Sequence, residues 1–213
     1  MADCFRAYLI RRREMLDLAD RKTEKARAEH AAATQGLPFQ RGDVLFHSIH
    51  GLCVVKGIVG KPSGLEGLSY WIEPARPGKH LSRYFVGVYQ AIQSGFHRPI
   101  SEKEIEGIFV SFRCGKTALE HFPNENYSFQ LRTVSQGNTA QAFAKVILMA
   151  VSKQLYCDRG ESKIVKHAAE ALAQEIAIVL KIPVKKAFSL IRKNLRSHLV
   201  VHPWLGDILT YKD

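Results

Sequence analysis

The chain has 213 residues, enough for one or two domains with a hydrophobic core. Hydrophobic residues make up 46% and charged residues 24%, with only 15 glycines and 8 prolines, which excludes disordered, collagen-like and low-complexity classes. The formal net charge of +11 favours a polyanionic partner, either nucleic acid or an anionic membrane surface.

Neither a membrane span nor a secretory signal is expected. The longest apolar runs, at 146–151 and 176–180, are far shorter than the roughly 20 residues that cross a bilayer. The chain reaches Arg11, Arg12 and Arg13 without an apolar signal core, so we expect a cytoplasmic protein. The four cysteines are too widely spaced for a disulfide framework or a Cys-x-x-Cys metal pair, and we expect them to be reduced.

Residues 1–36 predict an N-terminal helical extension. Residues 3–31 are rich in Arg, Lys, Glu, Asp and Ala and contain no Gly or Pro, and their apolar residues occupy only the first half. The pattern fits either a helix that docks on a partner or a mobile appendage. Gly36 and Pro38 interrupt the helical pattern, which predicts a domain boundary near residue 36.

Residues 37–100 predict a small, strongly curved β domain. Short β-branched and aromatic runs, separated by Gly, Pro and Ser, occur at 43–47, 52–59, 68–73 and 80–88. Strands this short and closely spaced are too small for an open sheet with two covered faces, so we expect an SH3- or Tudor-like barrel. Trp71 is expected to pack inside it.

Residues 101–213 predict an all-helical domain, which makes the fold class α+β. Ser101 and Glu104 have the spacing of a capping box, and an apolar stripe follows at Ile105, Ile108, Phe109 and Phe112. The remaining elements expected are helices at 138–156 (with Asn138 as cap), 162–180 and 183–196, and loops at 123–126, 127–137 and 158–160.

The last of these helices has a contiguous cationic side. On a helical wheel, Val184 shares the apolar stripe with Ala187, Phe188, Ile191 and Leu195. The basic residues fall together on another side, with no carboxylate between them: Lys185, Lys186, Arg192, Lys193 and Arg196. This pattern indicates contact with a phosphate backbone, independent of base sequence; the alternative is a merely solvated surface.

One buried acid is predicted in the third of these helices. Glu175 falls among apolar residues on the wheel, so it must be paired or hydrogen-bonded, and we expect it to join helices. A catalytic role is not expected, because no second acid or nucleophile accompanies it.

Two other groups of residues match known functional motifs only in part. Residues 114–117 (Cys-Gly-Lys-Thr) resemble the end of a phosphate-binding loop, but Val110 stands where the pattern requires Gly. His47, His50 and Cys53 lack a fourth metal ligand, and strand alternation would direct the two histidines to opposite faces. No enzyme activity, metal, cofactor or small-molecule substrate is therefore expected.

Two separated regions share motifs with one known family. The first contains Gly42-Asp43, His50-Gly51, Val-Val-Lys-Gly-Ile at 54–58, and 95–101. The second contains 146–155, 159–160, 168–172, Glu175, Ala177 and 182–191. In this order of parts the chain resembles the CarD family of bacterial RNA-polymerase-binding transcription regulators, over all but the N-terminal segment and the tail after Arg196.

The resemblance implies a partner for each half of the chain. The β domain would bind the RNA polymerase β subunit, and the helical domain would bind promoter DNA at the upstream edge of the melted bubble, where an aromatic side chain wedges into the minor groove. Lys61 matches a basic position facing polymerase, and Arg83 or Tyr84 matches a second. Tyr127 matches the Trp that forms the wedge, and Arg132 lies near a family basic position.

The resulting hypothesis is a non-enzymatic, nucleoid-associated transcription regulator that stabilises the open promoter complex more than the closed one. The alternative is a protein-interaction module with non-specific nucleic-acid binding and a partner other than polymerase. A third hypothesis is a nucleotide-dependent activity at Lys116 and Thr117.

Overall fold

The computed structural model describes residues 36–60, 67–75, 82–114, 127–152 and 158–210 and has the expected α+β architecture. A four-stranded antiparallel sheet comes first: β1 (Val44–His47), β2 (Gly51–Val59), β3 (Ser69–Pro74) and β4 (Tyr84–Gly87). The helices follow: α1 (Gln90–Gln93), α2 (Glu102–Cys114), α3 (Tyr127–Ser135), α4 (Ala140–Ser152), α5 (Arg159–Val179), α6 (Val184–Asn194), α7 (Arg196–Val201) and α8 (Pro203–Ile208). The predicted N-terminal helix lies outside the described residues.

The four strands pair in chain order, so β1 and β4 are the sheet edges. Beyond β1, Phe46 and His97 exchange two backbone hydrogen bonds of 2.7 and 3.1 Å, which covers part of that edge. A register shift between Val55 and Gly57 marks a bulge that bends β2. Among the described strands the sheet is open, so the closure expected of a barrel is not seen.

One face of the sheet forms a small hydrophobic core. Its central ring is Tyr70, whose hydroxyl accepts a 3.1 Å hydrogen bond from the backbone N–H of Phe39. The chain before β1 and the short helix α1 cover this face. The fully buried side chains around the ring are Leu45, Cys53, Val55, Ile72 and Ala91.

The helices enclose a second, larger core around α5, which packs against α3, α4 and α6. The capping box at the start of α2 is confirmed: Ser101 N donates to Glu104 Oε2 at 2.7 Å, and Glu104 N donates to Ser101 Oγ at 3.3 Å. The predicted apolar stripe of α2 is buried as well. No described helix combines the length and apolar composition that a bilayer crossing requires.

Three helix starts differ from the sequence prediction. Asp158 does not close α4; it begins α5 in a capping box with Glu161. Asn138 is not the cap of α4 either, because it has a left-handed φ of 47° and Thr139 Oγ1 accepts from Ala142 N at 3.2 Å. Pro183 precedes α6 as its N-cap and does not occupy the first turn.

The tail also folds onto the helical core. The long fourth helix of the prediction ends at Asn194 and, after a break at Leu195, continues as α7 and α8. Leu205 and Leu209 are fully buried, and Trp204 packs against the same core. His198 Nε2 lies 3.1 Å from the carbonyl oxygen of Phe112, which links the tail to α2.

Candidate functional site

The five basic residues predicted at 185–196 all lie on the surface. Ala187, Phe188 and Ile191 are buried and hold α6 on the helical core. The cations point away from that core and are exposed; we call them the basic face: Lys185, Lys186, Arg192 and Lys193 of α6, and Arg196 at the start of α7. The prediction placed all five cations on one helix. Because the helix breaks at Leu195, Arg196 instead begins the next helix, α7.

The basic face is not neutralised by the described part of the protein. No Asp or Glu occurs between Glu175 and Asp207 in the sequence. No ion pair joins any of the five cations to another described residue, whereas Arg113 on α2 is held by Glu106 at 2.6 Å. Arg192 Nη1 makes only a 3.5 Å contact with Thr210 Oγ1. Unpaired, exposed cations in this arrangement suit phosphate oxygens.

Helix α3 replaces the loop expected at 127–137. Tyr127 opens this helix and packs against the helical core, so its ring is only partly accessible. Two residues later, Phe129 is 71% exposed, and Arg132 is exposed one turn further along. Sequence reasoning missed Phe129, although the absence of Gly and Pro from 127–135 favours a helix that would align it with Arg132.

The sheet residues predicted to contact polymerase separate onto two faces. Arg83 Nε pairs with Glu73 Oε1 at 3.2 Å, and its guanidinium lies 5.5 Å from the centre of the Trp71 ring. Tyr84 faces the other way and stacks on His50, with ring centres 4.2 Å apart. Because their side chains lie on opposite faces of the sheet, Arg83 and Tyr84 cannot both contact the same flat surface of a partner. Lys61 lies outside the described residues.

The exposed face of the sheet is largely apolar and aromatic, apart from the ion pair between Glu73 and Arg83. Trp71 and Phe85 are directly opposed across β3 and β4, which places both rings on this face, and Phe85 is 62% exposed. Gly57 leaves room beside the Trp71 ring. Together with the exposed or half-buried Val44, Val54 and Val59, these rings form what we call the outer sheet face. Trp71 is thus not inside the sheet core, contrary to expectation.

A buried charge joins the sheet to the helices. Glu175 on α5 is fully buried; its Oε1 accepts from Ile100 N at 3.0 Å, and both its oxygens lie 3.2 Å from His97 Nε2. The prediction that Glu175 is paired is confirmed, but its partners are in the segment leaving the sheet rather than in another helix. We call this contact, with Gly95 packed at φ +94° against Asn138, the sheet–helix interface.

The electrostatics of this interface depend on His97. Burial lowers its pKa, but the hydrogen bond to Glu175, the negative charge of Glu175 and a hydrogen bond to the Gly95 carbonyl outweigh burial, so that the pKa of His97 is raised. Protonated His97 and Glu175 thus form a charge-assisted hydrogen bond between the two halves of the protein.

The other histidines form a stack rather than a metal site. His47 and His50 are not on opposite faces, because a turn separates them and their rings stack at 4.4 Å. Burial lowers the pKa of both, and the charge of His50 contributes at His47. Across the described residues, no group of three potential ligands could hold a metal ion. Residues 115–117 of the loop-like motif lie outside the described part.

Comparison with protein-family models and with curated proteins finds no match.

Proposed function

We propose that this protein is a CarD-like transcription regulator that binds RNA polymerase through its sheet and upstream promoter DNA through its helices. The observation that carries the proposal is the presence, in one chain, of two exposed surfaces of different chemistry: an aromatic outer sheet face, and a basic face that forms no ion pair with any described residue. The first suits a protein partner, and the second suits a polyanion. The resemblance of both halves to the CarD family supplies the identity of the partners.

The outer sheet face supports the protein-binding half of the proposal. Exposed aromatic residues and Arg are the side chains that most often dominate protein interfaces, and Phe85, Trp71 and Arg83 lie together there. Strand β4 beside them has no further partner among the described strands, so its backbone groups are available at the edge. Lys61 remains a prediction of the resemblance.

The helices support the DNA-binding half. The five cations of the basic face would neutralise phosphates, which gives affinity without sequence reading. We assign the base contact that the resemblance places at Tyr127 to its exposed neighbour Phe129, with Arg132 one turn away on the same helix. An inserted aromatic ring stabilises unstacked DNA, so binding favours the melted promoter.

The partly buried position of Tyr127 favours a second candidate. A protein that contacts phosphates only, through the basic face, would bind DNA without promoting melting, and its outer sheet face would serve another partner. Polymerase binding distinguishes the two candidates, because only the first requires it.

The decisive variant is Phe85→Ser, which removes an exposed ring of the outer sheet face without touching either core. The matched control is Ile49→Ser, another highly exposed apolar residue, in the turn between β1 and β2. In a polymerase pull-down, Phe85→Ser should weaken binding about 30-fold, as expected for a hot spot of about 2 kcal/mol, while Ile49→Ser binds like the wild type. Equal polymerase binding by wild type and Phe85→Ser would show that the outer sheet face is not the binding surface. Absence of polymerase binding by the wild type would show that polymerase is not the partner.

A further inference from the structure

A cavity of about 670 Å³ lies where the sheet meets the helices. One wall comes from the sheet and the other from the end of α5, the α5–α6 connection and the start of α6. This volume is in the range of cavities that hold a small organic ligand. The lining residues on which the site depends are His50 on the sheet side and Gln174, Ile178, Lys181, Ile182 and Val184 on the helix side.

As far as the structure describes it, the lining is apolar except for three side chains. His50 and Gln174 are polar groups that can form hydrogen bonds, and burial lowers the pKa of His50. Among the described lining residues, Lys181 carries the one formal charge, and none of them is an acid. A polyphosphate would leave most of its charge uncompensated here, whereas a ligand with an apolar body and one negative group would match both parts of the lining.

The backbone at Lys181 is strained for a residue with a side chain. Helix α5 ends in a Schellman motif, in which Ile182 N donates to Ala177 O at 3.0 Å and Lys181 N to Ile178 O at 3.3 Å. The motif places Lys181 at φ +53°, a conformation that favours glycine. A cation near the end of α5 is favoured by the helix dipole, but a neighbouring position would provide that without strain. The strained backbone therefore indicates a functional role for the Lys181 side chain.

Lys181 is also free to bind. It is exposed and forms no ion pair with any residue that the structure describes. Its neighbours in the cavity wall are Ile178 and Ile182, so a carboxylate held by its ammonium group would project an apolar body along those side chains.

We propose that the cavity binds a small organic carboxylate with an apolar body, with Lys181 as the anchoring cation. Ile178, Ile182 and Val184 provide the apolar contacts, and His50 and Gln174 offer hydrogen bonds at the rim. The ligand touches both the sheet and the helices, so its binding stabilises the contact between them. The site stands independently of the polymerase and DNA roles proposed above.

The test is a titration of the full chain with 2-naphthoate and with its uncharged counterpart 2-naphthalenemethanol, followed by calorimetry. In Lys181→Gly, 2-naphthoate should bind about tenfold more weakly, because a charge-assisted contact is lost, while the affinity for the alcohol stays the same. Lys181→Arg should retain binding. Lys181→Gly relieves the backbone strain, so it should melt at or above the wild-type temperature, and misfolding would not explain the loss.

Two further variants complete the test. Lys185→Ala removes a neighbouring exposed cation and should change the affinity less than twofold. Val184→Trp fills the cavity and should abolish binding of both compounds. The proposal is overturned if wild type and Lys181→Gly bind 2-naphthoate equally, if Lys185→Ala weakens binding as much as Lys181→Gly does, or if neither compound binds the wild type.

Discussion

Replacing Glu175 by Gln should loosen the connection between the sheet and the helices. Gln keeps one carbonyl oxygen for Ile100 N, so the main loss is the charge-assisted hydrogen bond to His97. Such bonds contribute about 1.5–3 kcal/mol. Without the carboxylate, burial lowers the pKa of His97 and the ring becomes neutral, which limits the loss to about 2 kcal/mol at pH 6.

The loss should also depend on pH in a defined direction. The folded-state pKa of His97 is raised above its ordinary value of 6.5, so the stability from the protonated pair is fully present below pH 6.5. It is lost as the pH rises through the raised folded-state pKa. The difference in unfolding free energy between wild type and Glu175→Gln should therefore be larger at pH 6 than at pH 9.

Urea denaturation followed by circular dichroism measures this difference. Trp71 lies in the sheet and Trp204 packs on the helical core, so each can report on its own half by fluorescence. The Trp204→Phe background leaves Trp71 to follow the sheet, and the Trp71→Phe background leaves Trp204 to follow the helices. The two unfolding transitions should separate when Glu175→Gln is added to these backgrounds. Arg98→Gln is the control, because it breaks an exposed ion pair with Asp43 and should cost about 0–1 kcal/mol. A loss below about 0.5 kcal/mol at pH 6, or an equal loss at both pH values, would show that the His97–Glu175 pair does not hold the sheet to the helices.

Three further predictions concern the helices. Lys193→Glu should weaken duplex DNA binding and reduce the slope of log affinity against log salt by about one or more. Fluorescence anisotropy at several salt concentrations measures the slope, and an unchanged slope would show that Lys193 does not contact phosphate. Asp158→Ala removes the cap of α5 and should lower the unfolding free energy by about 0.5–2 kcal/mol in urea, whereas no change would contradict the capping box. Phe112→Ala should cost about 3–5 kcal/mol in the same measurement, because the ring is fully buried, and a cost under about 1 kcal/mol would contradict its place in the core.

The elements with strong local signals could be predicted from the sequence. The α+β order, the four strands to within a few residues, and the start and buried stripe of α2 follow from alternation, capping spacing and helical periodicity. The exposed basic residues of α6 also follow, because the apolar stripe of that helix fixes which side faces the core.

The features that depend on distant contacts could not be predicted. Nothing near Glu175 in the sequence indicates His97 and Ile100 as its partners, which are more than 70 residues away. The face on which Trp71 lies depends on the register with β4 and on the bulge in β2. The Schellman motif sets the left-handed conformation of Lys181. This position usually carries Gly, so a Lys there does not indicate the motif in the sequence.

We expect one chain to bind two macromolecules at once, through the outer sheet face and the basic face. This expectation is tested by the lifetime of open complexes at a ribosomal-type promoter, measured with wild type, Phe85→Ser, Lys193→Glu and an equal mixture of the two variants. The wild type should lengthen the lifetime, each variant should fail, and the mixture should also fail, because neither chain carries both surfaces. Restoration by the mixture, or no effect of the wild type, would contradict this expectation.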